Sequence, residues 1–286
     1  MENIFHIGYH KTATTWFQKN FYPFIDNINY VEREKIKDFF YFKKNIDFSS
    51  ENTLVFCDEE LSGNIHNNGL SEFLSIYVAN KISKFKNPKI ILFLRNQYDI
   101  IISSYLQYIK EGGTYSIDKY IHHKDFDKSF RSPLFSLDHF DYQKRISFYT
   151  DLLGVDNVYI YLYEDFVEDP KKFIEKFIKD HNFLIDINKI NFSKNNTSYS
   201  YISYFLARFT NRFTRNNVLY KHYFFHIPFF YEYSRELYSR INFLKINKNK
   251  FLNSNLNSLI KSYYIESNNT INDKYKLNLD RFNYPL

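Results

Sequence analysis

Short apolar runs alternate along the chain with longer segments in which apolar residues recur at helical spacing. The run at residues 89–94, Lys-Ile-Ile-Leu-Phe-Leu, is almost wholly apolar, which is typical of the centre of a parallel sheet. The predicted strands are residues 5–8, 53–57, 89–94 and 157–163, and the predicted helices are residues 14–20, 70–85, 100–110, 141–153 and one that begins at Asp169-Pro170. The pattern predicts an α/β fold with a parallel sheet flanked by helices, and a largely helical part after residue 200.

The turn between the first predicted strand and the first predicted helix carries Lys11, Thr12, Thr14 and Thr15. A strand that feeds a helix through a tight turn points several free backbone N–H groups at one spot, where the helix dipole adds partial positive charge. Lys11 supplies a full charge and the threonines supply hydroxyl donors, so the turn suits a phosphate or a sulfate. The alternative is a plain capped helix, because threonine is also a good helix cap.

Three carboxylates, Asp58, Glu59 and Glu60, follow the second predicted strand. In open parallel sheets, functional residues collect at the carboxyl ends of strands, so these acids are expected close to the lysine-bearing turn. One of them is a candidate catalytic base. The alternative is that they cap the next helix or lie in solvent.

Arg95 ends the apolar run at residues 89–94, and Ser103 follows eight residues later in a predicted helix. This spacing can place a guanidinium and a hydroxyl on the same anion. Arginine suits that role because its planar fork of donors matches phosphate oxygens.

Together these segments resemble the sulfotransferases that use 3′-phosphoadenosine-5′-phosphosulfate (PAPS). Lys-Thr-Ala-Thr-Thr at residues 11–15 is similar to the family's 5′-phosphosulfate loop, Lys-Ser/Thr-Gly-Thr-Thr, with Ala13 in the place of glycine. Alanine does not easily adopt a positive φ. Residues 95–105 resemble the family's 3′-phosphate site. A Walker A loop differs, because it needs Gly-Lys-Ser/Thr in that order, and here the lysine comes three residues after Gly8.

The resemblance implies a P-loop-type central parallel β-sheet flanked by α-helices. It also implies metal-free transfer of a sulfuryl group from PAPS to a hydroxyl or amine, with 3′-phosphoadenosine-5′-phosphate (PAP) as product. The residues that it places at the cofactor are Lys11, Thr12, Ala13, Thr14, Thr15, Trp16, Arg95 and Ser103. Lys11 would also be catalytic, at the leaving phosphate, and Trp16 would lie near the adenine. Glu59, with Glu60 as the alternative, would take the proton of the acceptor.

Composition narrows the classes of partner. A net charge of +6 suits an anionic cofactor or substrate but is too mild to indicate nucleic acid. The single cysteine, Cys57, excludes an internal disulfide. No apolar run approaches the length of a membrane span, and the candidate loop begins too early for a signal peptide, so a cytoplasmic protein is expected. Nothing in the composition sets an oligomeric state.

Three further segments stay open. His122 and His123 lie in an aperiodic stretch and either bind substrate, assist as a base or are ordinary loop histidines. Residues 195–199 match weakly a family segment that returns to the cofactor. Residues 204–247 mix aromatic and basic side chains, which suits a lid, a glycan-stacking surface, a peripheral membrane contact, a dimer contact or ordinary core packing.

Three functions fit these patterns. The first is a sulfotransferase in one domain, 1–286, with a cofactor-binding core at 1–200, a helical part at 200–286, and a glycan, glycolipid or small molecule as acceptor. The second is a P-loop kinase that uses ATP and magnesium, in which Asp58 would order the metal. The third is a non-catalytic carbohydrate-binding relative that kept the fold.

Overall fold

In the computed structural model, the described residues form a five-stranded sheet in the order β2-β3-β1-β4-β5, and every neighbouring pair of strands is parallel. The structure describes residues 2–48, 50–66, 70–121, 134–193, 200–214, 221–222, 224–240 and 251–286. The strands are β1 Asn3–His6, β2 Ile28–Val31, β3 Thr53–Cys57, β4 Pro88–Leu94 and β5 Val158–Leu162. The predicted α/β class is confirmed.

Helices follow the strands along the chain and cover the sheet. They are α1 Thr14–Asn20, α2 Arg33–Phe40, α3 Leu70–Ile82, α4 Gln97–Lys110, α5 Ile117–Ile121, α6 Tyr142–Leu153, α7 Tyr163–Glu168, α8 Pro170–His181, α9 Tyr201–Thr210, α10 Phe230–Arg240 and α11 Ser254–Tyr275. No described helix combines the length and the apolar character that crossing a bilayer requires.

The central strand β4 explains why its sequence is apolar throughout. Ile90, Leu92 and Leu94 point into the hydrophobic core on one face of the sheet. Ile91 and Phe93 point into the core on the other face. Because successive side chains of a strand alternate between faces, a strand covered on both sides needs apolar residues at every position.

β1 lies at the point in the sheet where the order of the strands reverses. From β1 the chain moves to the edge strand β2 and back to β3 on one side, and then crosses to β4 and β5 on the other. The segments that leave the carboxyl ends of β1 and β4 therefore diverge and open a crevice, which is where ligands bind in open α/β sheets. The predicted lysine-bearing turn and Arg95 leave these two strands.

Several predicted boundaries are wrong, and one strand was missed. β1 covers residues 3–6 rather than 5–8. The edge strand β2, within residues 21–50, escaped prediction because its middle positions, Asn29 and Tyr30, are not buried and break the apolar pattern. β5 ends at Leu162, where α7 begins. α4 begins at Gln97 rather than residue 100, because the side chain of Asn96 accepts a hydrogen bond from the Tyr98 N–H (2.9 Å) and caps the helix.

Helix α9 and the residues that follow it pack onto the later part of α4. The hydroxyls of Tyr204 in α9 and Tyr105 in α4 lie 2.7 Å apart. Asn211 donates to the carbonyl of Ile109 at the end of α4 (2.8 Å). The end of α4 thus carries α9, whereas α11 bonds to the start of α4 through Gln97 and Asn268 (2.8 Å).

Candidate anion-binding site

The loop from β1 to α1 has the backbone of an anion-binding turn. Lys11 and Ala13 both adopt left-handed conformations, with φ of 69° and 67°. Between them, Thr12 is buried and its hydroxyl donates to the Tyr9 carbonyl (2.5 Å). Ala13 occupies the cap position of α1 but supplies no side-chain cap. The plain threonine-capped helix is therefore wrong, and the first N–H groups of α1 receive no side-chain cap.

The hydroxyl of Thr14, at the first position of α1, is the polar group most clearly left open in this loop. It is buried and has no hydrogen-bond partner among the described residues. A buried hydroxyl without a partner costs free energy, so such groups usually serve a ligand or a function. Thr15, the next residue, is half-buried.

Gly8 lets this loop approach the end of β1 closely. A Cβ atom at this position would lie 3.0 Å from Nε2 of His6 and 3.1 Å from the Thr12 hydroxyl. The His6 ring is fully buried, and burial lowers its pKa to about 3, so the ring is neutral under the loop. The absence of a side chain at residue 8 thus keeps the turn tight.

Arg95 joins the two predicted anion-binding segments. Its Nη1 donates to the Lys11 carbonyl (2.7 Å), across 84 residues of sequence. The guanidinium carbon lies 4.6 Å from the ring centre of Tyr163, and the buried Nε has no hydrogen-bond partner in the described parts of the chain. Arg95 therefore holds the loop with one donor and keeps another available.

Lys11 reaches across to α4. Its Nζ donates to Oε1 of Gln107 (2.7 Å). Gln107 comes four residues after Ser103, so the two side chains lie on the same face of α4, one helical turn apart. Ser103 is half-buried, whereas Ser104 is fully buried and donates to the Ile100 carbonyl (2.8 Å). Burial lowers the pKa of Lys11, and the nearby carboxylate of Glu111 partly opposes that shift.

Arg33, at the start of α2, ties the three predicted acids together. Its Nε lies 3.0 Å from Oδ2 of Asp58, and its Nη2 lies 3.4 Å from Glu59 and 3.7 Å from Glu60. The other oxygen of Asp58 accepts from the Glu60 N–H (3.0 Å) and caps the helical turn that follows. Both oxygens of Asp58 are thus occupied by protein donors, which assigns it a structural role and argues against it as a metal ligand.

Glu59 differs from its neighbours in having an open oxygen in a desolvated place. Its Oε2 is buried and has no hydrogen-bond partner within the described ranges. Burial, followed by the charge of Asp58, raises the pKa of Glu59. The Glu60 side chain is more exposed, at 36% against 17%. The negative charges of Glu111 and, to a smaller extent, Glu59 both oppose the lowering of the Lys11 pKa.

Trp16 lies at the rim of the site in an aromatic cluster. Its ring centre is 4.9 Å from that of Phe166 and 5.9 Å from that of Phe192, and its Nε1 donates to the Asn191 carbonyl (3.0 Å). The indole is half-buried, which leaves part of its surface available for a planar ligand.

Sequence reasoning missed Arg33, Gln107 and Glu111. Arg33 follows the missed strand β2, so it could not be placed beside the acids. Gln107 could have been found, because it stands one helical turn after Ser103. His122, His123 and residues 195–199 lie outside the described residues. Within those residues, no group of three or more His, Cys, Asp or Glu side chains is arranged to hold a metal ion.

Ala13 provides a direct test of the loop geometry. A left-handed conformation costs alanine about 1–2 kcal/mol but costs glycine little. We expect Ala13→Gly to raise the free energy of unfolding by about 0.5–1 kcal/mol, after the larger entropy of glycine in the unfolded chain is included. Chemical denaturation measures this, with Ala79→Gly inside α3 as a control that should destabilise instead. Equal destabilisation by both variants would contradict the left-handed conformation at residue 13.

Comparisons with known proteins point to one family. Residues 1–181, from β1 through α8, match the family model described as the sulfotransferase domain. Among solved structures, a sulfotransferase from Alicyclobacillus acidocaldarius is similar, with 13% identity and a TM-score of 0.47 over 68% of this chain and 87% of that chain. Mouse sulfotransferase SULT7A1 complexed with PAP is similar with 14% identity and a TM-score of 0.48 over 93% of this chain and 83% of that chain. No curated protein matches the chain in sequence.

Proposed function

Because the chain belongs to the sulfotransferase domain family, we propose that it transfers a sulfuryl group from PAPS to a hydroxyl or amine of an acceptor and releases PAP. The observation that carries this proposal is the 2.7 Å hydrogen bond from Arg95 to the Lys11 carbonyl, because it joins the two candidate anion-binding segments. A nucleotide with phosphate groups at both its 3′ and 5′ positions suits two such segments.

The loop from β1 to α1 would hold the 5′-phosphate. Thr14 contributes its unpartnered hydroxyl, Thr15 a half-buried one, and the backbone N–H groups of the loop add further donors. Thr12 shapes the loop through its bond to Tyr9, and Ala13 supplies the left-handed turn. The loop therefore presents several donors that an anion could use.

The 3′-phosphate would lie between β4 and α4. The Arg95 guanidinium offers its open Nε to the phosphate, and Ser103 offers a half-buried hydroxyl on the same face of α4 as Gln107. Trp16, half-buried in its aromatic cluster, would pack against the adenine. The open donors of Arg95 and Thr14 are the features of this chain that fit the nucleotide.

Sulfuryl transfer, like phosphoryl transfer, asks the protein chiefly to position the reactants and to stabilise developing charge. Lys11 would supply positive charge at the leaving phosphate, which is the role that a metal plays in kinases. Glu59 would accept the proton of the acceptor, because it is the acid with an open oxygen and a raised pKa. Glu60 is the alternative base.

The acceptor is proposed to be a glycan or a glycolipid rather than a small molecule. The aromatic and basic side chains after residue 200 support this, because sugar rings stack on aromatic surfaces. A screen that follows transfer of labelled sulfate tests it, and sulfation of small phenols alone would refute it. We propose that the reaction takes place in the cytoplasm, because the single cysteine calls for no oxidising compartment. We also propose that residues 1–286 form one domain.

Calorimetry with PAP, beside ATP with magnesium, tests the proposed donor. We expect PAP to bind without a metal and more tightly than ATP. Arg95→Ala should weaken PAP binding about ten- to a hundredfold, because a charge-assisted phosphate contact contributes about 1.5–3 kcal/mol. Preference for ATP with magnesium would refute the proposal and favour the kinase.

Ser103→Ala keeps this test decisive if the loss of Arg95 disturbs the loop. This variant should weaken PAP binding several-fold, because it removes one hydrogen bond to the phosphate. Its melting temperature should stay unchanged, since the Ser103 side chain is half-buried. Ser104→Ala is the matched control, because Ser104 bonds inside α4 and should leave the PAP affinity unchanged. Equal effects of both serine variants would refute the 3′-phosphate assignment.

A further inference from the structure

Exposed apolar side chains concentrate in one part of the C-terminal region. Of twenty large hydrophobic side chains that are exposed in the described residues, ten lie between residues 202 and 237. They form what we name the aromatic surface: Ile202, Phe205, Leu206, Phe209, Phe224, Phe225, Ile227, Phe229, Tyr233 and Leu237. Ordinary core packing, one of the interpretations of this region, is wrong for these residues. Scattered exposed side chains need no explanation, but such a concentration indicates an interaction surface.

Two helices each turn an apolar stripe outward. On α9, Ile202, Leu206 and Phe209 recur at one-turn spacing and are exposed. On α10, Tyr233 and Leu237 continue the four-residue spacing that starts at Phe229. The opposite faces of these helices already pack inward through other residues, Tyr204 and Ala207 on α9 and Ser234 and Tyr238 on α10. A surface helix normally turns a polar face to water, so the outward stripes suit an apolar environment.

Hydrogen bonds and ring contacts position the aromatic side chains at residues 224–229, ahead of α10. The Phe224 N–H donates to the Arg212 carbonyl (2.7 Å), and the Ile227 N–H donates to the Phe213 carbonyl (3.0 Å). The ring of Phe213 contacts Phe224 and Phe225, with centroids 5.9 and 5.4 Å away. Phe224 is nevertheless 70% exposed and Phe229 is 83% exposed, the latter with a φ of 60° that is unusual for a bulky residue. Hydrogen bonds and a strained backbone conformation at Phe229 thus hold these exposed rings in place.

Positive charge concentrates in the same region. Residues 200–250 contain nine lysines and arginines against two acids, a net charge of +7, whereas the whole chain carries +6. The rest of the chain is therefore close to neutral. On α10, the exposed Arg235 and Arg240 lie beside the aromatic surface together with the exposed Glu232 and Glu236, and Arg240 forms an ion pair with Glu236. The described residues between 200 and 240 carry five basic side chains against these two acids, a net charge of +3. The partner of this surface should be apolar and anionic at once.

We propose that the aromatic surface docks the protein onto a bilayer that contains anionic phospholipids. The aromatic and aliphatic side chains would enter the boundary between headgroups and acyl chains, where aromatic rings are favoured, and the basic residues would contact lipid phosphates. A second copy of this chain fits less well, because two faces that both carry a net positive charge repel each other. The proposal does not depend on the nature of the sulfuryl donor.

Sedimentation of the full chain with vesicles tests this docking. The probes are vesicles of neutral phosphatidylcholine and vesicles in which about a third of the lipid is anionic phosphatidylglycerol. We expect binding to the anionic vesicles that weakens as salt rises, because the attraction is screened. Replacing both Phe224 and Phe225 with serine should lower the partition coefficient about tenfold or more. Arg235→Gln with Arg240→Gln should lower it several-fold.

Phe73→Ser is the matched control, because Phe73 is 73% exposed on α3, outside the aromatic surface. It should leave vesicle binding unchanged, and all variants should keep the wild-type melting temperature. The proposal is overturned if the folded wild-type protein does not bind anionic vesicles, or if Phe73→Ser weakens binding as much as the paired serine variant. Light scattering that shows a dimer dissociated by the paired variant, without vesicle binding, would assign the surface to a second copy instead.

Discussion

Replacing Glu59 with glutamine is expected to lower kcat about 10²–10⁴-fold, which is the usual contribution of a positioned general base. Glutamine keeps the size of the side chain and its place beside Arg33 but cannot accept the proton of the acceptor. PAP affinity should change little, because Glu59 is assigned to the acceptor rather than to the donor. Steady-state kinetics with saturating PAPS, together with calorimetry of PAP binding, measure the two effects separately.

The pH profile adds a second, independent readout for Glu59. Burial raises the pKa of this carboxyl above its ordinary value, and the base acts only when deprotonated. Activity should therefore fall as the pH drops through the raised pKa, and this acidic limb should disappear in Glu59→Gln. Glu60→Gln is the control, because the Glu60 side chain is less buried than that of Glu59, and this variant should keep near wild-type activity. Loss of activity in Glu60→Gln with retention in Glu59→Gln would transfer the role to Glu60.

Lys11→Met is expected to lower kcat about 10²–10³-fold, as the loss of one charge-stabilising donor in a desolvated site usually does. Methionine preserves much of the volume of the lysine stem while removing the ammonium that now bonds to Gln107. Burial lowers the pKa of Lys11, so wild-type activity should fall on the alkaline side at a pH below the ordinary lysine pKa. Rate measurements across pH, with saturating donor and acceptor, test both statements.

Lys19→Met supplies the control for Lys11. Lys19 is exposed in the last turn of α1, the helix that follows the loop. Its replacement removes an equal charge outside the crevice. Its kcat should stay within about twofold of wild type, because exposed charges act weakly through water. An unchanged kcat in Lys11→Met would refute the catalytic role of Lys11. Acceptor binding that survives in Lys11→Met, together with a wild-type protein that transfers no sulfuryl group, would favour the non-catalytic carbohydrate-binding relative.

The sheet and the chemistry of its loops could be predicted from local sequence. The apolar run of β4 predicted a strand covered on both faces, and the side chains of that strand do enter the cores on both faces. The order of lysine and threonines after β1, with Arg95 after β4, led to the family that residues 1–181 match. These features depend on residues that are close in sequence, because burial pattern and turn chemistry are set by neighbouring side chains.

The partners of the site residues could not be predicted in this way. Arg33 reaches Asp58 only because β2 and β3 are adjacent in the sheet, and the half-exposed β2 gives no clear strand signal. The bond from Lys11 to Gln107 spans 96 residues and depends on how α4 leaves β4. Such contacts depend on strand order and helix packing, which the local pattern of apolar residues does not encode.

The composition also identified the aromatic and basic segment after residue 200, but it did not determine whether these side chains are buried or exposed. Apolar residues at helical spacing look the same whether they face a core or the outside, because periodicity gives the position of a stripe and not its neighbours. The packing of Tyr204 and Tyr238 inward leaves Phe209, Tyr233 and Leu237 exposed. Local sequence thus set the strands, the two candidate loops and the family, while packing between distant segments left one buried oxygen of Glu59 without a partner among the described residues and turned the aromatic surface outward.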